Sequence, residues 1–362
     1  SAIHVVSPFR AGRVVADKYL IERELALGGV GVVMLATHLD LGHSVAIKVL
    51  RPHLRDQPTI VERFKREARL AASLRSEHVV RIHDVGMLDD ETPFTVMEYL
   101  DGEDLSTIRA RGLPLATEVV VDWICQACEA LSEAHASGII HRDLKPENIF
   151  LARRTNRADE SIIKVVDFGI SKMTESGDAP SSGPTSIATS SKRRPRMQLT
   201  LGNESFGTPQ YMSPEQLMSA TSADARSDIW ALGVVLYEML TLTLPFEGSD
   251  VRQLTASILT SSPTPIRAKR PEVSAELEAI VMSCLARHPK DRPSSMADLQ
   301  AALAPFRAQR ETLMPAPLSA PKPSRSTTKR SASSARSVAP LAVALGILVF
   351  LWMIAMWRVF TS

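Results

Sequence analysis

From Tyr19 to about Tyr99 the chain alternates short apolar runs with turn residues. Val45-Ala46-Ile47-Lys48-Val49-Leu50 and Phe94-Thr95-Val96-Met97 read as strands around one helix near Phe64 to Leu74. From Leu105 onward the period becomes helical, as in Glu118 to Ala136, Ile229 to Leu240 and Ser274 to Ala286. The pattern predicts an α+β protein of two lobes, a small β-rich one followed by a larger helical one.

Three stretches depart from it. Thr174 to Arg196 is rich in Ser, Thr, Gly and Pro and ends in Lys192-Arg193-Arg194-Pro195-Arg196, a composition that cannot pack a core, so about 174–199 reads as an inserted loop. Met314 to Ser337 alternates Pro, Ser, Ala and basic residues, as extended linkers do. Val338 to Trp357 holds twenty positions without a charge, enough for about 30 Å of helix and hence for the hydrocarbon core of a bilayer. The organisation expected is an extension over 1–18, a two-lobed globular domain over 19–306, a linker over 307–337, a transmembrane helix over 338–357 and a tail over 358–362. Trp352 and Trp357 suit an interface belt, and Lys322, Arg325, Lys329, Arg330 and Arg336 on the N-terminal flank against Arg358 alone on the other put the main body on the cytoplasmic side. A single-pass cell-membrane protein follows, whose basic linker can lie on anionic lipid. Only five residues follow the apolar tract, which predicts no outer sensor in this chain. Ser1 to Lys18 has no apolar stretch long enough for a signal-peptide core.

Composition narrows this picture. With 44% apolar and 23% charged residues the body resembles an ordinary globular protein, and a net charge of +2 gives no reason to expect nucleic acid as a partner. There are three cysteines, and Cys125 with Cys128 on an apolar helix lacks the further ligands of a structural zinc site, so both read as core.

The chemistry lies in local motifs. Leu25-Ala26-Leu27-Gly28-Gly29-Val30-Gly31-Val32-Val33 falls between two strands, where Gly28 and Gly31 would let backbone N–H groups approach phosphate oxygens; a plain hairpin turn has the same appearance. Lys48 sits inside an apolar strand and needs an anionic partner unless it reaches water at an edge; Glu67 on the following helix is one, and phosphates would be another. The most specific segment is His141-Arg142-Asp143-Leu144-Lys145-Pro146-Glu147-Asn148, followed after an apolar strand by Asp167-Phe168-Gly169.

At this point the sequence resembles the protein kinase superfamily, specifically the bacterial serine/threonine kinases of eukaryotic type, over about Tyr19 to Phe306. The resemblance implies transfer of the γ-phosphate of ATP to Ser or Thr of proteins, this chain included, with magnesium, or manganese in its place. It implies that Asp143 takes or orients the proton of the acceptor hydroxyl, that Lys145 reaches the transferred group, and that Asn148 and Asp167 hold the metal. Lys48 with Glu67 would engage the phosphates. Leu25, Ala26, Gly28, Gly29, Val30, Gly31, Val33 and Ala46 would surround the nucleotide, Met97 would flank adenine, and Glu98 to Leu100 would bond the base edge. Gly207-Thr208-Pro209-Gln210-Tyr211-Met212-Ser213-Pro214-Glu215 resembles the peptide-docking segment, with Thr208 in contact with substrate. Glu215 and Arg292 would form a buried pair bracing the lower lobe, and Asp228-Ile229-Trp230 matches as well. Arg142 would pair with a phosphorylated activation-loop residue, for which Thr200 is preferred among Thr185, Ser186, Thr189, Ser190 and Ser191, and self-association would serve autophosphorylation.

One position departs from the family's pattern: Ala26 stands where the first loop glycine is usual. A methyl group is small and the later glycines are kept, so an enzyme is expected and not a catalytically silent scaffold. A small-molecule kinase should lack the segment from Gly207 to Glu215.

Overall fold

A computed structural model describes residues 11–154, 157–168, 209–219 and 224–307. Gly169, the inserted loop, Thr200, Thr208, the linker and the apolar tract over 338–357 lie outside the described residues. All described residues fall in one compact unit.

The first lobe is an antiparallel sheet of β1 (Val14–Val15), β2 (Tyr19–Leu27), β3 (Gly31–His38), β4 (Ser44–Leu50), β5 (Ile82–Met87) and β6 (Pro93–Glu98), in the order β1-β2-β3-β4-β6-β5. It starts ahead of Tyr19, because Val14 and Val15 pair with Leu20 and Tyr19 and Val15 is buried. The period-2 pattern of β4 decides what each face does. Val45, Ile47 and Val49 enter an apolar cluster with Ile21, Met34, Phe94 and Val96, which leaves Ala46 and Lys48 on the opposite face. Register then lines up that second face. Ala26 pairs with Val33, Val33 with Lys48 and Lys48 with Thr95, while Ala46 pairs with Met97. Helix α1 (Pro58–Ser73) packs Phe64, Ala68 and Ala71 inward at helical spacing, with Pro58 where its missing N–H costs nothing.

The second lobe contains α2 (Leu105–Ala110), α3 (Thr117–Ala136), α4 (Pro214–Met218), α5 (Ala225–Thr241), α6 (Val251–Thr260), α7 (Ile266–Lys269), α8 (Ala275–Cys284) and α9 (Met296–Leu303). Side chains of Asp104, Ser213, Asp224, Asp250, Ser274 and Ser295 cap α2, α4, α5, α6, α8 and α9. Helix α5 is mostly apolar and is buried from Ser227 to Leu240, with Asp228 and Glu238 the acidic residues within that stretch. A second sheet, absent from the periodicity reading, joins β7 (Gly102–Asp104), β8 (Ile149–Arg154) and β9 (Arg157–Val165). Its close approach explains Gly102, where a Cβ would lie 2.0 Å from the Leu151 carbonyl oxygen. Cys125, Cys128 and Cys284 are buried free thiols, and burial pushes Cys125 up to about 11 and Cys284 up to about 12, as inert core residues require.

Glu215 and Arg292 form the expected pair, two-pronged at 2.7 and 2.9 Å, with the Arg292 side chain fully buried. The guanidinium also donates to the carbonyls of Ala286, Arg226 and Arg287 and lies 5.0 Å from the Trp230 ring centroid; Ser227 donates to Glu215. Such a pair holds geometry more than it adds stability, because both ions lose water. Glu215→Ala should cost about 3–5 kcal/mol in urea unfolding by stranding the Arg292 cation, whereas an apolar pair at both positions should restore most of it.

Candidate active site

The segment His141 to Asn148 contributes little regular structure, so its shape comes from the groups that hold it. Asp228, 1% exposed at the start of α5, accepts the backbone N–H groups of His141 and Arg142 at 2.8 Å each, and its Oδ2 meets His135 Nε2 at 2.7 Å. Arg142 is thereby kept at φ +63°, a left-handed conformation that costs a non-glycine residue about 1–2 kcal/mol. Gln216 donates to the Arg142 carbonyl at 3.1 Å, and Asn148 Nδ2 donates to that of Asp143 at 2.7 Å. Burial keeps the His141 imidazole below its ordinary range despite the Asp228 carboxylate, so it is neutral. Its Nε2–H then donates to the Val166 carbonyl at 3.1 Å, while the ring lies against Phe168 with centroids 4.9 Å apart. The loops carrying Asp143 and Asp167 are thus joined through His141.

Asp143 and Lys145 approach each other, Lys145 Nζ lying 3.6 Å from Asp143 Oδ2. Both line a concavity with Arg142, Tyr211, Met212 and Gln216, next to the segment read as peptide docking. Across the cleft, Lys48 Nζ donates to Asp167 Oδ1 at 2.6 Å and stands 3.7 Å from Glu67 Oε1. Glu67, expected as the lysine's anionic partner, is therefore the more distant of two. Three charges share one region, with different consequences. Burial works against the Lys48 ammonium, but Asp167 and Glu67 outweigh it and raise its pKa. Desolvation also opposes the Asp167 charge, and Lys48 reverses that and holds the carboxyl below the usual range. Desolvation prevails at Glu67, which is pushed up to about 7 although Lys48 favours its charge.

Asn148 is buried with its Nδ2 committed to Asp143, which leaves the amide oxygen as its donor; Asp167 offers a half-exposed carboxylate. Two oxygens of this kind fit a hard divalent cation that completes its shell with water and phosphate. Among the described residues no group of three or more His, Cys, Asp or Glu could hold a metal.

The glycine-rich segment is a hairpin between β2 and β3, with the Gly28 N–H donating to the Gly31 carbonyl at 2.9 Å. At Gly31 a Cβ would come within 2.8 Å of the Val49 carbonyl oxygen, so close packing on β4 requires this glycine whatever the loop binds. Gly28, Gly29 and Val30 are exposed at the tip and Leu25 is half-buried beneath it. Ala26 is exposed beside a register shift in β2. Val33, Ala46, Lys48 and Met97 share the sheet face described above, and Lys48, Glu67, Thr95, Met97, Asp167 and Phe168 line a cavity at its edge. The Glu98 N–H is taken by the Arg81 carbonyl at 2.9 Å, which leaves Tyr99 and Leu100 to supply any N–H to a ligand there.

Two contributors were missed by the sequence reading. Asp228 was noted as a motif match but without its role as clamp, which depends on a contact across 87 positions. Arg66 is close enough to Arg142 that, after burial, it helps to lower that guanidinium's pKa against the pull of Asp228. A lone arginine beside Glu67 carries no signal of such a neighbour.

With cleft and loops assembled, the comparisons are direct. The model of the protein kinase domain family matches residues 19–303, and the chain belongs to this family. It is 38% identical over 332 residues to serine/threonine-protein kinase pkn3 of Myxococcus xanthus, covering 91% of this chain and 55% of that protein. Serine/threonine-protein kinase PknB of Mycobacterium tuberculosis is 36% identical over 292 residues, 80% of this chain and 42% of that one. The chain thus spans about half the length of these relatives. The crystal structure of the M. tuberculosis PknI kinase domain aligns with a TM-score of 0.59 at 25% identity, covering 82% of this chain and 99% of that one. The architecture is the bilobal protein kinase fold.

A pH dependence follows from Glu67. Its folded pKa lies above the unfolded value of 4.5, so its proton-linked contribution to stability is fully present below about pH 4.5 and is lost as pH rises through about 7. Urea midpoints of the nucleotide-free protein and of Glu67→Gln, compared at pH 5 and pH 8, should therefore shift in favour of the variant at the higher pH.

Proposed function

We propose that the chain is a serine/threonine protein kinase that transfers the γ-phosphate of ATP to protein hydroxyls, including its own. The observation that carries this reading is the joint geometry of Asp143 with Lys145 at 3.6 Å and of Lys48 with Asp167 at 2.6 Å in one cleft of a protein kinase domain. The acceptor oxygen attacks the γ-phosphorus, its proton passes to Asp143, and the bond to the β-phosphate oxygen breaks to release ADP. Lys48 docks the phosphates and Lys145 balances charge on the group in transit. Asn148 and Asp167 would hold magnesium, which neutralises phosphate charge when bound. Val33, Ala46 and Met97 would enclose adenine, with the backbone near Leu100 at its edge. Arg142 with Arg66 would receive a phosphate carried by the activation segment, where Thr200 is the favoured position.

The chain over residues 1–362 with labelled ATP and magnesium should gain phosphate on Ser or Thr. Asp143→Asn and Lys48→Met should each reduce this at least about 100-fold while keeping the unfolding midpoint near that of the parent. An active Asp143→Asn protein would show the base assignment to be wrong.

We further propose a single-pass membrane anchor at 338–357 with the catalytic domain in the cytoplasm. It rests on the uncharged tract and its basic flank. Among the described residues no helix is long and apolar enough to cross a membrane. The chain over residues 1–362 should sediment with membranes and resist carbonate extraction, whereas removal of 338–357 should release it. Recovery of both forms in the soluble fraction would refute the anchor.

A further inference from the structure

One face of α3 carries polar side chains at helical spacing, Asp122, Gln126, Glu129 and Glu133, and each is engaged. Glu133 accepts the backbone N–H groups of Arg75 and Ser76 at 2.7 and 2.6 Å. Glu129 stands 3.3 Å from Nε2 of buried His78 and accepts from Gln300 of α9. Gln126 accepts the N–H of Ile163 at 2.9 Å, and the Ile163 carbonyl meets His78 Nδ1 at 2.9 Å. Asp122 takes the Gln126 amide and, at 2.8 and 2.6 Å, the Nε and Nη2 groups of Arg307; Arg307 Nη1 also lies 4.0 Å from Glu129.

These contacts join three regions. The loop over 74–80 leaves α1, which carries Glu67, and pairs with β9 through the Val165 N–H to the His78 carbonyl and the Val80 N–H to the Val165 carbonyl. Val165 lies two residues before Asp167. Arg307 is the last residue of the described domain, and the chain continues from it into the linker sequence. Its charge completes the α3 network from the far end.

Resting on the reading of the cleft as a kinase site, we propose that Arg307 is a positioning residue: by gripping Asp122 it orders the polar face of α3 that fixes the 74–80 loop and β9, and through them the Lys48, Glu67 and Asp167 group. Gln126 is the central relay, since its amide is oriented by Asp122 while its oxygen holds β9. Losing the Arg307 grip frees Asp122 to rotate, and Gln126 and Glu129 lose a fixed neighbour.

The test uses the full chain with Arg307→Ala and Arg307→Lys. Arg307→Ala should speed amide hydrogen exchange about ten-fold over 74–80 and 163–165, the amount expected from one charge-assisted hydrogen bond. It should also raise KM for ATP several-fold with a smaller change in kcat. Arg307→Lys keeps the charge but not the two-nitrogen grip, and should give the same exchange pattern at lower amplitude. Faster exchange confined to 304–307, with KM for ATP unchanged, would overturn the proposal. Should Arg307→Ala fail to fold, unchanged exchange over 74–80 in Arg307→Lys would overturn it equally. A parent chain without phosphoryl transfer would sink the kinase reading alone, because the exchange pattern still decides the coupling.

Discussion

The Asp228 carboxylate is almost wholly removed from water, and that burial obliges it to find donors. It finds them in the backbone of the catalytic loop and in His135, and the loop acquires its shape by satisfying the carboxylate. The left-handed conformation at Arg142 persists because two charge-assisted hydrogen bonds outweigh its cost. Asp143 therefore stands on a short irregular segment tied by two hydrogen bonds to the start of the buried helix α5. The apolar run of α5 has a chemical consequence as well as a packing one, since a carboxylate at the end of a buried helix can act as a fixed anchor.

The charged group across the cleft follows the opposite logic. Lys48, Glu67 and Asp167 come from β4, α1 and the segment after β9, and they meet only because these three segments pack together. Lys48 satisfies Asp167 closely and Glu67 loosely, and the difference appears as opposite shifts of the two carboxyls. On the proposed function, phosphate oxygens arriving at Lys48 would compete with Asp167, and a divalent cation would give Asp167 a new partner. Structural pairs such as Glu215 with Arg292 are saturated by surrounding carbonyls and have no comparable freedom.

The polar side chains of α3 connect these two kinds of site. A helix whose other residues make core also carries Glu133, which holds the loop after α1 by its N–H groups, and Gln126, which holds β9. Backbone amides at element ends need acceptors wherever they are buried, and α3 provides them from a single rigid element. On the proposed coupling, the geometry of the cleft would depend on side chains that lie outside it.

Much of this was legible in the sequence. Period-2 and helical runs marked β4, β6, α1, α3, α5 and α8, because burial of one face imposes a period wherever an element is long enough to show it. The motif around Asp143 and the order Lys48, Glu67, Asn148, Asp167 pointed to the chemistry through the resemblance to protein kinases, whose members use groups in that order for phosphates and metal. The small sheet of β7, β8 and β9 was not legible, since β7 is three residues long and its pairing is a matter of distant register. Nor was the preference of Lys48 for Asp167 over Glu67, the clamp at Asp228, or the meeting of Arg307 with Asp122. A sequence specifies which groups carry charge and which faces are apolar. How far apart two charges stand, and how much water remains between them, depends on packing among segments here 87 to 185 positions apart, and only the tertiary structure decided it.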